Sequence, residues 1–205
     1  MPAPDHIVFG GTFDPPHQGH VELVATAHQS FPEARISIVP SPSPAVVGEQ
    51  KKHPASFSDR WQMCEDAFAS VLSPTIELSA IETKLPAPHY TVGTLEYLHE
   101  QQPNARLGLL VGEDQFSQFT QWRNHNRILE LAELIVVRRV GEQFLDTTED
   151  IEVKATIIEA PICPASSTAL RNAYSEGKEI PPNWIDPGVD RWIREHNLYN
   201  GELRT

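Results

Sequence analysis

The 205-residue sequence predicts an α/β protein built on a parallel β-sheet that helices cover on both faces. Predicted strands and helices alternate along most of the chain. The most apolar strand candidates are continuous apolar runs, which is typical of strands buried on both faces of a doubly wound sheet. A pair of glycines lies where the first strand passes into the first helix. Doubly wound sheets bind ligands beyond the carboxyl ends of their strands, so we expect the functional site at that edge.

Three strands and three helices are predicted in the first half of the chain. Short apolar runs indicate strands at residues 6–9, 36–39 and 75–79. Apolar residues at three- and four-residue spacing predict helices at 21–31, from about 58 onward, and at 91–99. Pro32 ends the first of these helices, and Ser58 is the predicted cap of the second. Residues 40–56 are rich in Pro, Ser and Lys and are predicted to form a long surface loop.

The second half continues the alternation and ends in helices. Strands are predicted at 107–111, 134–137 and, more weakly, 155–158, with helices at 128–132, 168–176 and about 187–195. Asp186 followed by Pro187 is a good helix start, with a capping carboxylate and a proline at the first helical position. Since no repeat or linker divides the chain, we predict one domain over residues 1–205 with a small C-terminal helical extension at about 165–205.

Composition and charge exclude several classes of protein. No stretch approaches the roughly 20 apolar residues that a membrane helix requires, so we expect no membrane partner. The first residues lack the features of a signal peptide, which makes the cytoplasm the expected compartment. Cys64 and Cys163 are far apart and are predicted to be ordinary thiols. The net charge of −12 argues against a nucleic-acid partner, and an anionic ligand must therefore be held by local donors. Self-association into a homo-oligomer stays open.

The segment from Gly10 to His20, GGTFDPPHQGH, is the strongest candidate site. Gly10 and Gly11 permit a tight turn and a close approach of the backbone to a ligand. His17 and His20 are three residues apart, so in a helical turn they share one face. Imidazoles beside exposed backbone donors suit a phosphate group. The alternatives are a glycine turn with two surface histidines, and a zinc site in which Asp14 joins the histidines.

This segment resembles the (H/T)-x-G-H signature of the nucleotidyltransferase superfamily. Its extended form is most similar to that of bacterial nicotinate-nucleotide adenylyltransferases. The resemblance implies a Rossmann-like fold and a reaction in which AMP passes from ATP to nicotinate mononucleotide, giving deamido-NAD and pyrophosphate. It also implies Mg²⁺ as the cofactor that accompanies ATP, with no metal site made of protein ligands. The acceptors that remain open are nicotinamide mononucleotide and phosphopantetheine.

The second segment that resembles this family is Ser166-Ser167-Thr168-Ala169-Leu170-Arg171. Taken alone, these residues indicate either an ordinary helix cap with a surface arginine or an anion site at a helix N-terminus. The resemblance implies that it grips the β- and γ-phosphates of ATP. The implied catalytic residues are then His17, His20 and Arg171. The implied ATP-binding residues are Gly10, Gly11, Thr12, Phe13, His17, Gly19, His20, Gly112, Asp114, Ser166, Ser167, Thr168 and Arg171.

The acceptor site is implied by weaker similarities. Tyr90-Thr91-Val92-Gly93-Thr94 and the segment around Trp122 resemble the family's binding elements for the nicotinate ring, so Thr91 and Trp122 are expected to bind the acceptor. The sequence departs from the family's pattern in the loop after the second strand, where the usual histidine and basic residue are missing. Lys51 and Lys52 follow a few residues later and are either substitutes for them or a solvated surface run. This departure keeps open a nucleotide-binding paralogue without activity.

Overall fold

The computed structural model describes residues 3–43, 55–139, 155–161 and 163–200. Within these ranges, six strands form one sheet in the order β3-β2-β1-β4-β5-β6, and every neighbouring pair is parallel. This confirms the predicted doubly wound sheet. The chain order reverses between β1 and β4, so a crevice opens at the carboxyl ends of these two strands. The strands are β1 (His6–Gly11), β2 (Arg35–Pro40), β3 (Ile76–Leu78), β4 (Leu107–Gly112), β5 (Ala132–Arg139) and β6 (Ala155–Ala160).

Six helices in the described ranges correspond to predicted ones, with differences at their ends, whereas the short helix Glu113–Phe116 was not predicted. The helices are α1 (Gln18–Ser30), α2 (Phe57–Phe68), α3 (Thr91–Gln101), α4 (Glu113–Phe116), α5 (His125–Leu131), α6 (Ser167–Ser175) and α7 (Pro187–Glu195). The predicted cap of α2 was wrong: Ser56 caps it, because the Ser56 hydroxyl accepts from the Asp59 amide at 3.1 Å. The predicted cap of α7 is confirmed, since the Asp186 carboxylate accepts from the Gly188 amide at 2.7 Å.

Two apolar layers enclose the sheet, one on each face. Ile7 and Phe9 of β1 pack into the layer beneath α1, α2, α6 and α7, whereas Val8 packs into the layer beneath α3 and α5. Successive side chains of a strand point to opposite faces, so a strand covered on both sides must be apolar throughout. This explains why the strands read as continuous apolar runs.

The C-terminal helices lie against the same core as the first helices. Val189 and Ile193 of α7 are buried in the layer that also holds Met63 of α2, and the Trp192 indole donates to the Asp59 carboxylate at 3.3 Å. The predicted extension is therefore packed on the sheet's helical layer. The extent of a single domain over residues 1–205 stays a prediction. No helix in the described ranges has the length and apolar character needed to cross a membrane.

A polar network lies near the amino ends of the strands, opposite the crevice. His6 is 3% exposed, and its Nε2 lies 2.9 Å from the Ser37 hydroxyl. That hydroxyl donates to Glu77, and the Gln102 side chain lies 3.2 Å from Nδ1 of His6. A neutral imidazole satisfies both of these hydrogen-bond partners, because Nε2–H donates to Ser37 and Nδ1 accepts from Gln102. Burial is the main cause that lowers the pKa of His6 below its ordinary value of 6.5.

This network makes the stability of the protein depend on pH. Because the folded-state pKa of His6 is lowered, the unfolded chain takes up the proton more readily. The contribution of His6 is complete above pH 6.5 and is lost as the pH falls below that value toward the lowered pKa. In urea unfolding between pH 8 and pH 5, the His6→Asn variant should lose stability less steeply than the wild type. The difference should approach about 1.4 kcal/mol per pH unit at most. Equal slopes for the two proteins would contradict this account of His6.

Candidate active site

A cleft of about 570 Å³ lies where β1 and β4 end, at the reversal of strand order. The residues that line it come from elements far apart in the sequence. Most of the predicted site residues are among them: Gly10, Gly11, Thr12, Phe13, His17, Gly19, His20, Thr91, Gly112, Asp114, Trp122, Ser166 and Ser167. Thr168 and Arg171 lie behind this lining, and Lys51 and Lys52 fall outside the described residues.

The two histidines of the first motif form a pair at the N-terminus of α1. Their ring centroids are 3.8 Å apart, as the three-residue spacing predicted. The backbone amide of His17 donates to Nδ1 of His20 at 3.2 Å, which places the proton of a neutral His20 ring on Nε2. Burial lowers the pKa of His20 well below its ordinary value, and the neighbouring His17 lowers it further. His20 is thus a neutral hydrogen-bond donor in the wall of the cleft.

Gly11 and Gly19 leave room for the aromatic rings beside them. A Cβ atom on Gly19 would lie 3.1 Å from the His17 ring, and one on Gly11 would lie 2.8 Å from the Phe13 ring. Phe13 adopts a left-handed backbone with φ of 50°, which is costly for a residue with a side chain. Its buried ring offsets that cost by packing edge-on against His20 and Phe68 at 5.0 and 5.7 Å. Phe13 therefore supports the position of His20.

Three side chains from other parts of the fold donate hydrogen bonds to carbonyl groups of the loop between β1 and α1. The Arg60 guanidinium donates to the Thr12 carbonyl at 2.6 Å, and Arg171 donates to the Asp14 carbonyl at 2.6 Å. The Ser167 hydroxyl donates to the Pro15 carbonyl at 2.9 Å. Three carbonyl oxygens that would repel an anion are thus bound by donors of the protein.

Asp14 fixes the same loop through its side chain. It is 1% exposed, and its Oδ1 accepts from the Tyr199 hydroxyl at 2.7 Å and from the Ala55 amide at 3.1 Å. Arg60, which has no exposed surface, lies close enough for the Asp14 charge to raise its pKa, although burial is the larger effect and lowers it. The sequence interpretation considered Asp14 as a zinc ligand, whereas the structure gives it these partners. Among the described residues, no group of three or more His, Cys, Asp or Glu side chains is placed to hold a metal ion.

Sequence reasoning missed Arg60 and Tyr199. A signal for Arg60 exists: it stands four residues before Cys64, on the apolar stripe of α2 where a charge is unexpected. Tyr199 carries no such signal, because its partner Asp14 lies 185 positions earlier in the chain.

The second motif forms the N-terminus of α6, as predicted. The Ser166 hydroxyl caps the helix by accepting from the Ala169 amide at 3.1 Å. Arg171 donates to the Thr168 hydroxyl at 3.1 Å as well as to the loop carbonyl. In this structure, therefore, Ser167 and Arg171 bind the β1–α1 loop, and the amide end of α6 faces the same cleft.

Aromatic residues and a helix N-terminus form the other end of the cleft. Tyr90 precedes α3 without a side-chain cap, and Thr91 in the first turn lines the cleft. The Trp122 ring packs against buried Phe119, with centroids 5.6 Å apart. Arg123 lies over the Tyr90 ring at 5.7 Å. Glu82 and His89 also line this end and were missed by sequence reasoning. Tyr90 and Arg123 line it too, and they belong to the segments whose similarity indicated the acceptor site.

Comparison with known proteins agrees with this arrangement. The family model described as cytidylyltransferase-like matches residues 8–173, a range that includes the segments 10–20 and 166–171. A probable nicotinate-nucleotide adenylyltransferase of Chlorobium luteolum is 36% identical over 94% of this chain and 96% of its own. One of Leptospira borgpetersenii is 31% identical over 94% and 95% of the two chains. The chain belongs to the cytidylyltransferase-like family and, within it, to the nicotinate-nucleotide adenylyltransferases.

Solved structures show that the fold of this adenylyltransferase is also shared. The nicotinic acid mononucleotide adenylyltransferase of Plasmodium falciparum complexed with APC superposes with a TM-score of 0.74 over 96% of this chain and 98% of its own. The same enzyme complexed with NaAD gives a TM-score of 0.76. At 19% identity, these likenesses concern the fold. They confirm a Rossmann-like architecture for the adenylyltransferase described here.

The contact between Gly19 and His17 leads to a prediction. The Gly19→Ala variant should fold normally but lose about tenfold or more of its activity, because the new methyl group displaces the His17 ring. Gly93→Ala is the matched control, since a Cβ at Gly93 meets nothing within 4 Å. Melting temperature and pyrophosphate release would be measured for both variants. Equal activity of Gly19→Ala and Gly93→Ala would show that the His17 ring position is unimportant.

Proposed function

We propose that this protein transfers AMP from ATP to nicotinate mononucleotide, releasing deamido-NAD and pyrophosphate. The observation that carries the proposal is the paired imidazoles of His17 and His20 beside a glycine loop whose carbonyls are bound from behind. Such a wall presents donors to an anion and keeps acceptors away from it, which suits a triphosphate in a protein of net charge −12.

The proposed reaction is a direct displacement at the α-phosphorus of ATP. An oxygen of the acceptor's phosphate forms the new bond to phosphorus, and the bond to the β-phosphate oxygen breaks, so that pyrophosphate leaves with its electron pair. Little covalent chemistry is required of the protein, and positioning and charge stabilisation do most of the work. His20 donates from Nε2 to a phosphate oxygen, and the anion raises the pKa of the ring when it arrives. His17 lies in ring contact and acts on the same phosphates.

ATP is proposed to lie along the crevice between β1 and α6. The amide end of α6, with Ser166 and Ser167, faces the β- and γ-phosphates. Thr168 and Arg171 reach the phosphates only by exchanging their present bonds with each other and with the loop. Gly10 is open on its Cβ side and leaves room for the nucleotide to approach the backbone.

The adenosine is assigned to the end of β4. Gly112 and Asp114 line the cleft there, and a carboxylate such as that of Asp114 accepts hydrogen bonds from hydroxyl groups of a nucleotide.

Mg²⁺ fits this site as an ion carried by the nucleotide. The described residues offer no cluster of three ligands, so phosphate oxygens and water would supply most of its coordination. Bound in that way, the ion would neutralise charge on the leaving pyrophosphate. The protein's own part is to hold the phosphates at the imidazole pair and at the N-terminus of α6.

The acceptor is assigned to the aromatic end of the cleft. The uncapped N-terminus of α3, at Thr91, favours a carboxylate through its free amides and its dipole. Trp122 provides a surface for the pyridine ring. Because nicotinamide mononucleotide lacks the carboxylate, we propose that nicotinate mononucleotide is the preferred acceptor.

The decisive experiment measures pyrophosphate release by the purified protein with ATP, Mg²⁺ and one acceptor at a time. Release should be fastest with nicotinate mononucleotide and slower with nicotinamide mononucleotide. Binding of ATP without release for any acceptor would instead identify a nucleotide-binding protein without turnover.

The His20→Ala variant should lose at least about a hundredfold in kcat, because it removes a donor aimed at the reacting phosphates. The fold should be retained, as the melting temperature would show. His99→Ala, which removes an exposed histidine from α3, is the control and should keep wild-type turnover. Near-normal kcat in His20→Ala would contradict the assignment.

The Trp122→Ala variant should raise the KM for nicotinate mononucleotide about fivefold to tenfold and leave the KM for ATP unchanged. The reason is that the ring surface is lost only at the acceptor end of the cleft. A parallel rise in both KM values would show that Trp122 acts on the fold of the cleft rather than on the acceptor.

A further inference from the structure

We propose that Ser41 and Glu82 form a recess that binds a ribose hydroxyl of the acceptor nucleotide. Ser41 makes the contact, and Glu82 is a positioning residue that acts through the Ser41 hydroxyl. This inference rests on the proposed function, because it assigns one further group of the same acceptor. It concerns two residues of the cleft lining to which the proposed function assigns no role.

Glu82 is a buried carboxylate whose two oxygens differ in their hydrogen bonding. It lies in the 3-10 turn Ile81–Lys84, is 6% exposed and lines the cleft. Its Oε1 accepts from the Thr94 hydroxyl at 2.9 Å, whereas Oε2 is buried and has no hydrogen-bond partner among the described residues. An unsatisfied buried carboxylate oxygen is costly, roughly 1–3 kcal/mol for a polar group and more for a charged one. A donor is therefore expected to reach this oxygen when the site is filled.

Ser41 is the donor in place to do so. It follows β2, its amide donates to the Gly11 carbonyl at 2.9 Å, and it lines the same cleft. Burial raises the pKa of Glu82, while the hydroxyls of Thr94 and Ser41 lower it, which places Ser41 beside the carboxylate. Yet the Ser41 hydroxyl donates at present to the Ser43 carbonyl at 3.0 Å. In the proposed site, this hydrogen bond passes from the Ser43 carbonyl to Glu82 when the acceptor binds.

This exchange of hydrogen bonds creates a site for a hydroxyl group. Once Ser41 donates to Glu82, the lone pairs of its oxygen face the cleft as acceptors. They suit a donor such as a sugar hydroxyl. A phosphate group is excluded there, because the Glu82 carboxylate would repel it.

The position of the recess indicates that the hydroxyl group belongs to the ribose of the acceptor. The Ser41 amide donates to Gly11 at the end of β1, and Glu82 accepts from Thr94 of α3. The N-terminus of α3 at Thr91 is where the acceptor's carboxylate is assigned. The recess therefore lies between the proposed phosphate and pyridine positions, where the ribose of the acceptor must be.

The test compares nicotinate mononucleotide with its 2′-deoxy and 3′-deoxy forms. In the wild type, one deoxy form should have kcat/KM about tenfold lower than the ribose form. In Ser41→Ala and in Glu82→Gln this difference should nearly vanish, through a higher KM for the ribose form, while the KM for ATP stays constant. The double variant should be no worse than either single variant, because both act on one hydrogen-bond chain.

Ser37→Ala is the matched control, since it removes a hydroxyl from β2 at the end remote from the cleft and should keep the wild-type ratio. If Glu82→Gln does not fold, Ser41→Ala alone carries the test, because Ser41 lies at the wall of the cleft. If Ser41→Ala keeps the wild-type ratio of kcat/KM between the ribose form and the deoxy form, the inference is wrong and the proposed function still stands. No turnover of nicotinate mononucleotide by the wild type overturns both.

Discussion

The geometry of the site depends on a fully buried cation, Arg60, beneath the loop between β1 and α1. Arg60 donates to the carbonyls of Thr12, Ala55 and Pro42 and lies next to the buried carboxylate of Asp14. Burying a charge is costly unless its donors are used, and Arg60 uses its donors on three carbonyl groups, while the nearby charge of Asp14 favours the cation. The loop, the segment after β2 and the start of α2 are thereby joined at one guanidinium group.

Binding the loop by its carbonyls also resolves an electrostatic conflict. A protein with net charge −12 repels a nucleotide at long range, and carbonyl oxygens in the cleft would add to that repulsion at short range. Arg60, Arg171 and Ser167 donate to three carbonyl oxygens of the loop and thereby use acceptors that would repel an anion. The site therefore carries little fixed positive charge of its own, and His20 in particular is neutral before the anion arrives. Its contribution comes from oriented donors, which need no reorganisation during the reaction.

Much of the fold was predictable from the sequence because its signals are local. Continuous apolar runs indicated strands covered on both faces, and the glycine pair indicated the crevice at the end of β1. Helix ends were predicted less well. Ser56 rather than Ser58 caps α2, since both are good capping residues and only the path of the chain selects one.

The interactions that escaped prediction are non-local. Tyr199 and Arg60 contact the loop between β1 and α1 from 185 and 48 positions away. The position of Arg60 on the apolar stripe of α2 indicates that it is buried, but nothing in the sequence indicates which residues it contacts. The second motif was located correctly as a cap, but the bonds of Arg171 to the Asp14 carbonyl depend on how α6 packs beside α1. The unsatisfied oxygen of Glu82 likewise exists only in three dimensions.

The bond between Tyr199 and Asp14 has a consequence for how the protein is made. During synthesis, the loop that contains Asp14 leaves the ribosome early, whereas its hydroxyl partner is 185 residues further along the chain. At about 5–20 residues per second, the ribosome needs roughly ten seconds or more to cover that distance. In that interval the strained backbone of Phe13 and the buried carboxylate lack one of their supports. A nascent chain can thus form the first strands of its sheet well before the loop around Asp14 has all of its partners. Completion of the site depends on docking of the segment after α7.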